Sequence, residues 1–261
     1  MRVMSLNIWN VQGDWRGRRQ EVLAWLEHVQ ADIVCLQEVS EAPDGRNQAH
    51  WLAATSGGWH VAFAGSPVEG GRFGNAVLSR QPIDAEHSRD LPWQPSEGEV
   101  PRLVVHARTA GADVFSTHLN WRCEDGWLRE KQVEAVADFV AEVADGSLPY
   151  PPVVAGDFNA EPDSTEVRYL CGLTSLNGRS VYFQDAWRVA GGDGPGLTWD
   201  NRNTFAAAEH EPDRRIDYVF VGWRRAGGAG RVASARVVCD RSLTGTFASD
   251  HFGICADLAD T

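Results

Sequence analysis

What most constrains the fold of this chain is a series of short apolar runs, each leading into an amide, a carboxylate or an imidazole. Arg2 to Trp9 carries Asn7, and Asp32 to Val39 (DIVCLQEV) carries Glu38. Asp113 to Thr117 leads to His118, and Val153 to Ala155 leads into GDFN with Asp157 and Asn159. Arg215 to Val221 carries Asp217, while Asp250 and His251 stand just before Phe252 to Leu258. Short apolar runs bounded by polar residues read as buried strands. Burying a carboxylate alone is costly, so each implies a donor, a cation or water nearby. Strand ends that feed loops are where α/β proteins assemble their sites.

Helical spacing marks Arg16 to Val29, through Val22, Leu23, Trp25, Leu26 and Val29, and again Trp127 to Val143. Shorter helices are expected at Gln48 to Thr55 and at Ser164 to Leu170, the latter with Ser164 near its N-cap. Further strands are expected at His60–Ala64, Asn75–Ser79, Leu103–Arg108 and Arg231–Cys239. Gly191 to Arg215, rich in Gly, Pro, Asp and Asn, reads as a long functional loop. With many strands, few helices, no repeat and no long linker, residues 1–261 are expected to form one α/β domain built on two packed sheets. Gly228-x-Gly230-x-x-Ala233 loosely matches a dinucleotide fingerprint but precedes a strand-like run, so that reading is dropped.

Composition excludes several chemistries. Lys131 is the only lysine and Gln132 follows it, so there is no P-loop and only a poor Schiff-base candidate. HExxH, EF-hand and GxSxG patterns are absent from the sequence. The five cysteines form no CxxC pair, which removes zinc-ribbon and thioredoxin-like readings and suits a reducing, cytoplasmic setting. The N-terminus lacks the apolar segment of a signal peptide, and no run approaches the roughly 18 residues of a membrane span. A net charge of −12, with Arg16-Gly-Arg18-Arg19 as the one basic run, does not favour nucleic acid as partner. The polar set offers hard oxygen donors and two imidazoles, which favours Mg²⁺, with Mn²⁺ or Ca²⁺ as alternatives, over a thiolate zinc site.

The segments SLNIWN, LQEV, GNAVLSR, THLN, GDFNAEP, RRIDYVF and SDHFG, in that order from residue 5 to 253, resemble the endonuclease/exonuclease/phosphatase superfamily, the DNase I-like fold. Each motif alone is weak; GDFN with SDH and LQE in order is specific. The resemblance implies a four-layer α/β sandwich of two mixed β-sheets flanked by helices. It implies that Asn7, Glu38 and Asp250 hold the metal, that Asp157 orients or deprotonates a water, and that Asn159 bonds a phosphate oxygen. It pairs His251 with Asp217, leaves open whether Asp157 or His251 takes the water proton, and lets His118 donate to a non-bridging oxygen. Asn75 stands where the deoxyribonuclease branch has a glutamate beside that histidine, so His118 is expected to be less cationic here. Arg102 is a further phosphate-contact candidate.

Taken singly, each of these residues has an ordinary structural reading; their joint occurrence carries the functional one. His28, His50, His60, His87, His106 and His210 are read as structural, and Trp25 and Trp127 as core. Trp121 and Trp199 lie on loops near the site and either contact a ligand or cover the loop. The expected function is that of a monomeric, metal-dependent phosphoric-ester hydrolase acting on a small or lipid-type phosphoester. Its alternatives are a Mg²⁺-dependent nuclease and, outside enzymes of this class, a catalytically silent binding module or a two-carboxylate glycosidase.

Overall fold

The computed structural model describes residues 1–94 and 100–260. In chain order the first half contains β1 (Arg2–Asn7), α1 (Trp15–Val29), β2 (Ile33–Glu41), α2 (Gln48–Ser56), β3 (His60–Val68), β4 (Gly71–Ser79), β5 (Ile83–Asp90), β6 (Leu103–Thr109) and β7 (Ala112–His118). The second half contains α3 (Gly126–Val143), β8 (Val153–Asp157), α4 (Thr165–Leu170), β9 (Gln184–Asp185), α5 (Ala186–Ala190), α6 (Thr204–Ala207), β10 (Asp217–Val221), β11 (Val232–Val238) and β12 (Gly253–Leu258). Two six-stranded sheets result, ordered β11-β12-β1-β2-β4-β3 and β5-β6-β7-β8-β10-β9. Both are mixed: β1–β2 and β7–β8 are parallel, and the neighbouring pairs are antiparallel.

Strand alternation explains the layering. Val3 of β1, Ile33 and Cys35 of β2, Val114 of β7, Val153 and Ala155 of β8 and Val219 of β10 meet in a core between the sheets. Their neighbours Met4, Leu6, Val34 and Leu36 face outward onto Val22, Trp25 and Leu26 of α1. On the other sheet Phe115, Val154, Tyr218 and Phe220 face Val133, Val136 and Phe139 of α3. The four layers are therefore helix, sheet, sheet, helix. The small side chains between the sheets let them pack closely, and the same periodicity aims the last residue of each strand. Asn7 continues the Val3–Ser5 face, His118 the Val114–Ser116 face, and Asp157 the Val153–Ala155 face, while Asp217 opens the face of Val219. All four project between the sheets at one end. Gly156 is required there: a Cβ on it would lie 1.9 Å from the Thr117 carbonyl oxygen of the neighbouring strand.

The expected helices and most expected strands are present within a few residues. β5 has the sequence IDAEHSRD; it is a largely exposed edge strand, so it carries no apolar signal. β9 and α5 are too short for periodicity to reveal. Trp127, expected in the core, is 42% exposed on α3 with the Lys131 ammonium 4.7 Å from its ring. Trp25 is buried as expected. No helix among the described residues is long and apolar enough to cross a membrane.

Away from the site, Asp113 is buried on β7 and accepts from His106 Nε2 (2.8 Å), Arg108 Nε (2.8 Å) and the Asp145 backbone N–H (2.6 Å). Burial opposes its charge, but these donors outweigh burial and hold the carboxyl down at about 2. Its stabilisation is therefore present above the ordinary carboxylate range and is lost as pH falls from about 4 towards 2. Asp113→Asn is expected to lower stability at pH 7 by on the order of 2 kcal/mol, with the gap closing across that window. Urea denaturation at stepped pH measures this; a gap independent of pH would mean that the charge is not what holds.

Candidate active site

Asp157 lies between two neighbours in sheet register: His118 on β7 and Asp217 on β10. It is 1% exposed, and its oxygens are contacted from four directions. Asn7 Nδ2 donates to Oδ2 across the gap between the sheets (3.0 Å), and the Asn159 N–H donates to Oδ1 (2.9 Å). His118 Nε2 stands 3.4 Å and His251 Nε2 3.7 Å from Oδ2. Burial, reinforced by Asp217, raises the Asp157 carboxyl above the ordinary range against the pull of His251 and the two donors. His251 Nδ1 is 2.9 Å from Asp217 Oδ2. Burial disfavours the imidazolium, but Asp217, Asp157 and Asp250 outweigh it and raise His251 well above its ordinary value. Asp157, Asp217 and His251 offer ligand atoms within 4.8 Å of one another, yet the ring already bridges the two carboxylates.

Glu38 reaches the site through a fault in its strand. Ile33, Cys35 and Gln37 alternate onto the inner face, so regular alternation would send Glu38 outward to the helices. The β2–β4 register instead shifts between Leu36 and Val39, and Glu38 has φ +56°. Its carboxylate then accepts from Asn7 Nδ2 (3.2 Å) and Asn10 Nδ2 (2.7 Å). Asp250 accepts from Ser249 Oγ and the His251 N–H. Burial, with Glu38 nearby, raises Asp250 to about 6. Two close carboxylates whose hydrogen bonds come from neutral donors form an oxygen-rich set suited to a hard divalent cation. Asn7 thus bonds Glu38, and Glu38 interacts electrostatically with Asp250, beside the Asp157–Asp217–His251 cluster that Asn7 also touches.

His118 is flanked by Arg102, whose Nη1 is 2.9 Å from its Nδ1. A guanidinium has only donors, so Nδ1 accepts and the neutral ring carries its proton on Nε2, where the acceptor it faces is Asp157 Oδ2 at 3.4 Å. Burial, then Arg102 and His251, push His118 well below its ordinary value. These neighbours favour the neutral ring, and the charge that faces it is Arg102 rather than anything at Asn75. Asn75 is buried, with its amide on the Leu103 carbonyl. Trp121 is exposed and lines the cleft. Trp199 is 7% exposed, its ring 5.0 Å from that of His251, so it covers and positions the histidine more than it offers a free face. These groups open onto a cleft of about 640 Å³, with Glu209, Glu211 and Arg214 on its far wall.

Sequence reasoning missed the residues that hold the loops. Arg18, part of the supposed basic run, is fully buried. Its guanidinium donates to the carbonyls of Ile8, Trp9, Asn10, Gln12 and Ala248, tying the loop after β1 to the segment before Asp250. A signal existed: Arg18 shares a helical face with Val22, Trp25 and Val29. Asn203 Nδ2 likewise holds the carbonyls of Ser249 and Asp250, and nothing local marks it. Arg18→Met strands these carbonyls and is expected to cost roughly 3 kcal/mol or more in urea denaturation, with Arg18→Lys restoring part of it. A loss under 1 kcal/mol in Arg18→Met would remove this role.

The family model for the Endonuclease/Exonuclease/phosphatase family matches residues 8–251. The uncharacterized protein YbhP of Escherichia coli (strain K12) is 35% identical over 145 residues, 50% of this chain and 54% of that protein. Protein angel homolog 2 of Danio rerio is 28% identical over 174 residues, 60% of this chain and 30% of that protein. The chain thus spans about half the length of YbhP and less of the angel homologue. Among solved structures, an endonuclease/exonuclease/phosphatase family protein from Leptotrichia buccalis superposes with TM-score 0.75 at 18% identity, over 99% of both chains. D. rerio TDP2, complexed with single strand DNA product, superposes with TM-score 0.71 at 20% identity, over 99% of this chain and 98% of that one.

Proposed function

Since the chain belongs to the endonuclease/exonuclease/phosphatase family, we propose that it is a divalent-metal-dependent hydrolase of phosphoric esters, acting on a small or lipid-type phosphoester. The observation that carries this reading is the meeting of Asn7, Glu38, Asp157, Asp217, Asp250 and His251 at one end of the two sheets. Asn7, Glu38 and Asp250 would hold the cation, Mg²⁺ first, with Mn²⁺ or Ca²⁺ as alternatives, and what it would supply when bound is neutralisation of charge on the phosphoryl oxygens.

The remaining work falls to the chain's own residues. Asp157 and His251 face each other closely enough to titrate as one unit, and a water bonded to both is oriented and loses its proton to the pair. Asp217 fixes the His251 ring and supports its cation. His118 donates through Nε2–H to a non-bridging oxygen, which needs no positive charge on the ring, and the Asn159 amide donates beside it. Trp199 fixes the other side of His251. No covalent intermediate is required.

Nucleic acid is the second reading, supported by the similarity to D. rerio TDP2, which was solved with single strand DNA product. The net charge of −12 and the Glu209 and Glu211 carboxylates on the cleft wall weigh against a polyanion. Five unpaired cysteines support a reducing, cytoplasmic setting, and the same proposal takes residues 1–261 as a single domain working as a monomer.

Turnover of bis-p-nitrophenyl phosphate is expected with Mg²⁺ and none with EDTA. His251→Ala and Asp157→Ala should each lower kcat by about 100-fold or more with the fold intact, while Glu38→Gln should first raise the Mg²⁺ concentration needed. No metal-dependent turnover across nucleic acids, phospholipids and inositol phosphates would leave the silent binding module.

A further inference from the structure

Beside the cleft lies a second cavity, of about 780 Å³, between the start of α1, the start of α2 and the β3–β4 hairpin. Phe73 lines both spaces. Their partition is thin: Gln48, on the wall of the second cavity, donates to the carbonyl of Asn10, which lines the cleft and bonds Glu38. Val11, Trp15, Trp51, Val68 and Phe73 give the second cavity an apolar stretch within a wall that also carries polar and charged side chains, and Val11 is 57% exposed.

Arg19 is the polar feature that points to a ligand. Its guanidinium lies 4.2 Å from the Trp51 ring, and its Nε is buried without a hydrogen-bond partner. Among the described residues it makes no hydrogen bond or ion pair. Of the other charges on this wall, Glu41 is held by Arg72 and Asn47, and Arg46 by Asp44, while Glu69 stands on the β3–β4 turn at the cavity's edge. A desolvated donor beside an apolar space asks for an acceptor oxygen attached to an apolar body.

We propose that this cavity receives the organic arm of the same phosphoester, an alkyl chain seated against Trp15, Trp51, Val68 and Phe73 with an oxygen at its head on Arg19. The proposal rests on the hydrolase reading above and names its substrate class: a phosphodiester of an alcohol with an extended apolar chain. An alkyl arm fits better than a nucleobase. Guanidinium groups already stand against both indole rings, Arg19 over Trp51 and Arg18 5.2 Å from Trp15, so one face of each ring is taken from stacking. An alkyl chain needs only apolar area.

The test separates binding from chemistry. Calorimetry on the full chain in EDTA, with decyl phosphate below its micellar concentration, should show at least tenfold tighter binding than methyl phosphate. That preference should fall to near unity in Trp51→Ala and in Val68→Lys, a hairpin variant that covers the case in which the tryptophan variant does not fold. Arg19→Gln should weaken decyl phosphate about tenfold, and Trp223→Ala, on a distant surface, should change neither ligand. With Mg²⁺, decyl p-nitrophenyl phosphate should exceed the methyl ester in kcat/KM by a similar ratio. Equal affinity for the two phosphates, a preference that survives all three cavity variants, or tighter use of the p-nitrophenyl ester of thymidine 5′-phosphate would overturn the proposal. Intact chain-length preference without hydrolysis of any ester would support the cavity and count against the hydrolase reading instead.

Discussion

The contact between Asn7 and Asp157 joins the two sheets at the point where the molecule gathers its charge. Asp157 lies in the second sheet with almost no exposure, and a carboxylate so placed is tolerated only with donors around it. One of them is an amide from the other sheet, 150 residues away in sequence. The same amide also reaches Glu38, so one side chain touches both Glu38 and the Asp157–Asp217–His251 cluster. The relative position of the sheets therefore sets the spacing of the chemistry.

The layer between the sheets changes character along its length. Alanine and valine fill it at one end, and the buried pairs Ser5–Gln37 and Gln37–Ser116 mark the middle. Ionisable groups occupy the far end. Close packing over the apolar stretch provides the rigid base, and the loops that complete the site are pinned onto it by buried donors. Arg18 and Asn203 work at a distance from any reacting atom, yet without them neither the loop bearing Asn10 nor the segment bearing Asp250 has a fixed position. Preorganisation of this kind lowers the reorganisation needed when charge develops at a phosphoryl group.

Electrostatics divide the site into opposed roles. His251, between carboxylates, is driven towards its cation, while His118, beside Arg102, is driven away from it. Two histidines with ordinary solution behaviour are thus separated by their neighbours alone, one suited to hold a proton as part of a pair and the other to donate a hydrogen bond without carrying charge.

Much of this was legible in one dimension. Period-two alternation ending in Asn7, His118, Asp157 and Asp217 assigns those side chains to the inner face of their strands, because a strand's side-chain direction is a local property. The family motifs add Asp250 and His251. Glu38 was legible as a residue but not as a geometry: its entry depends on a register shift against β4, a pairing decided between strands. Arg18 read as surface charge because sequence shows which face a residue shares but not which carbonyls lie beyond it. The same holds for Arg102 on His118, for Trp199 under His251, and for the exposure of Trp127. Local spacing determines direction, whereas contact requires distant strands to arrive in one register, and only the folded chain decides that.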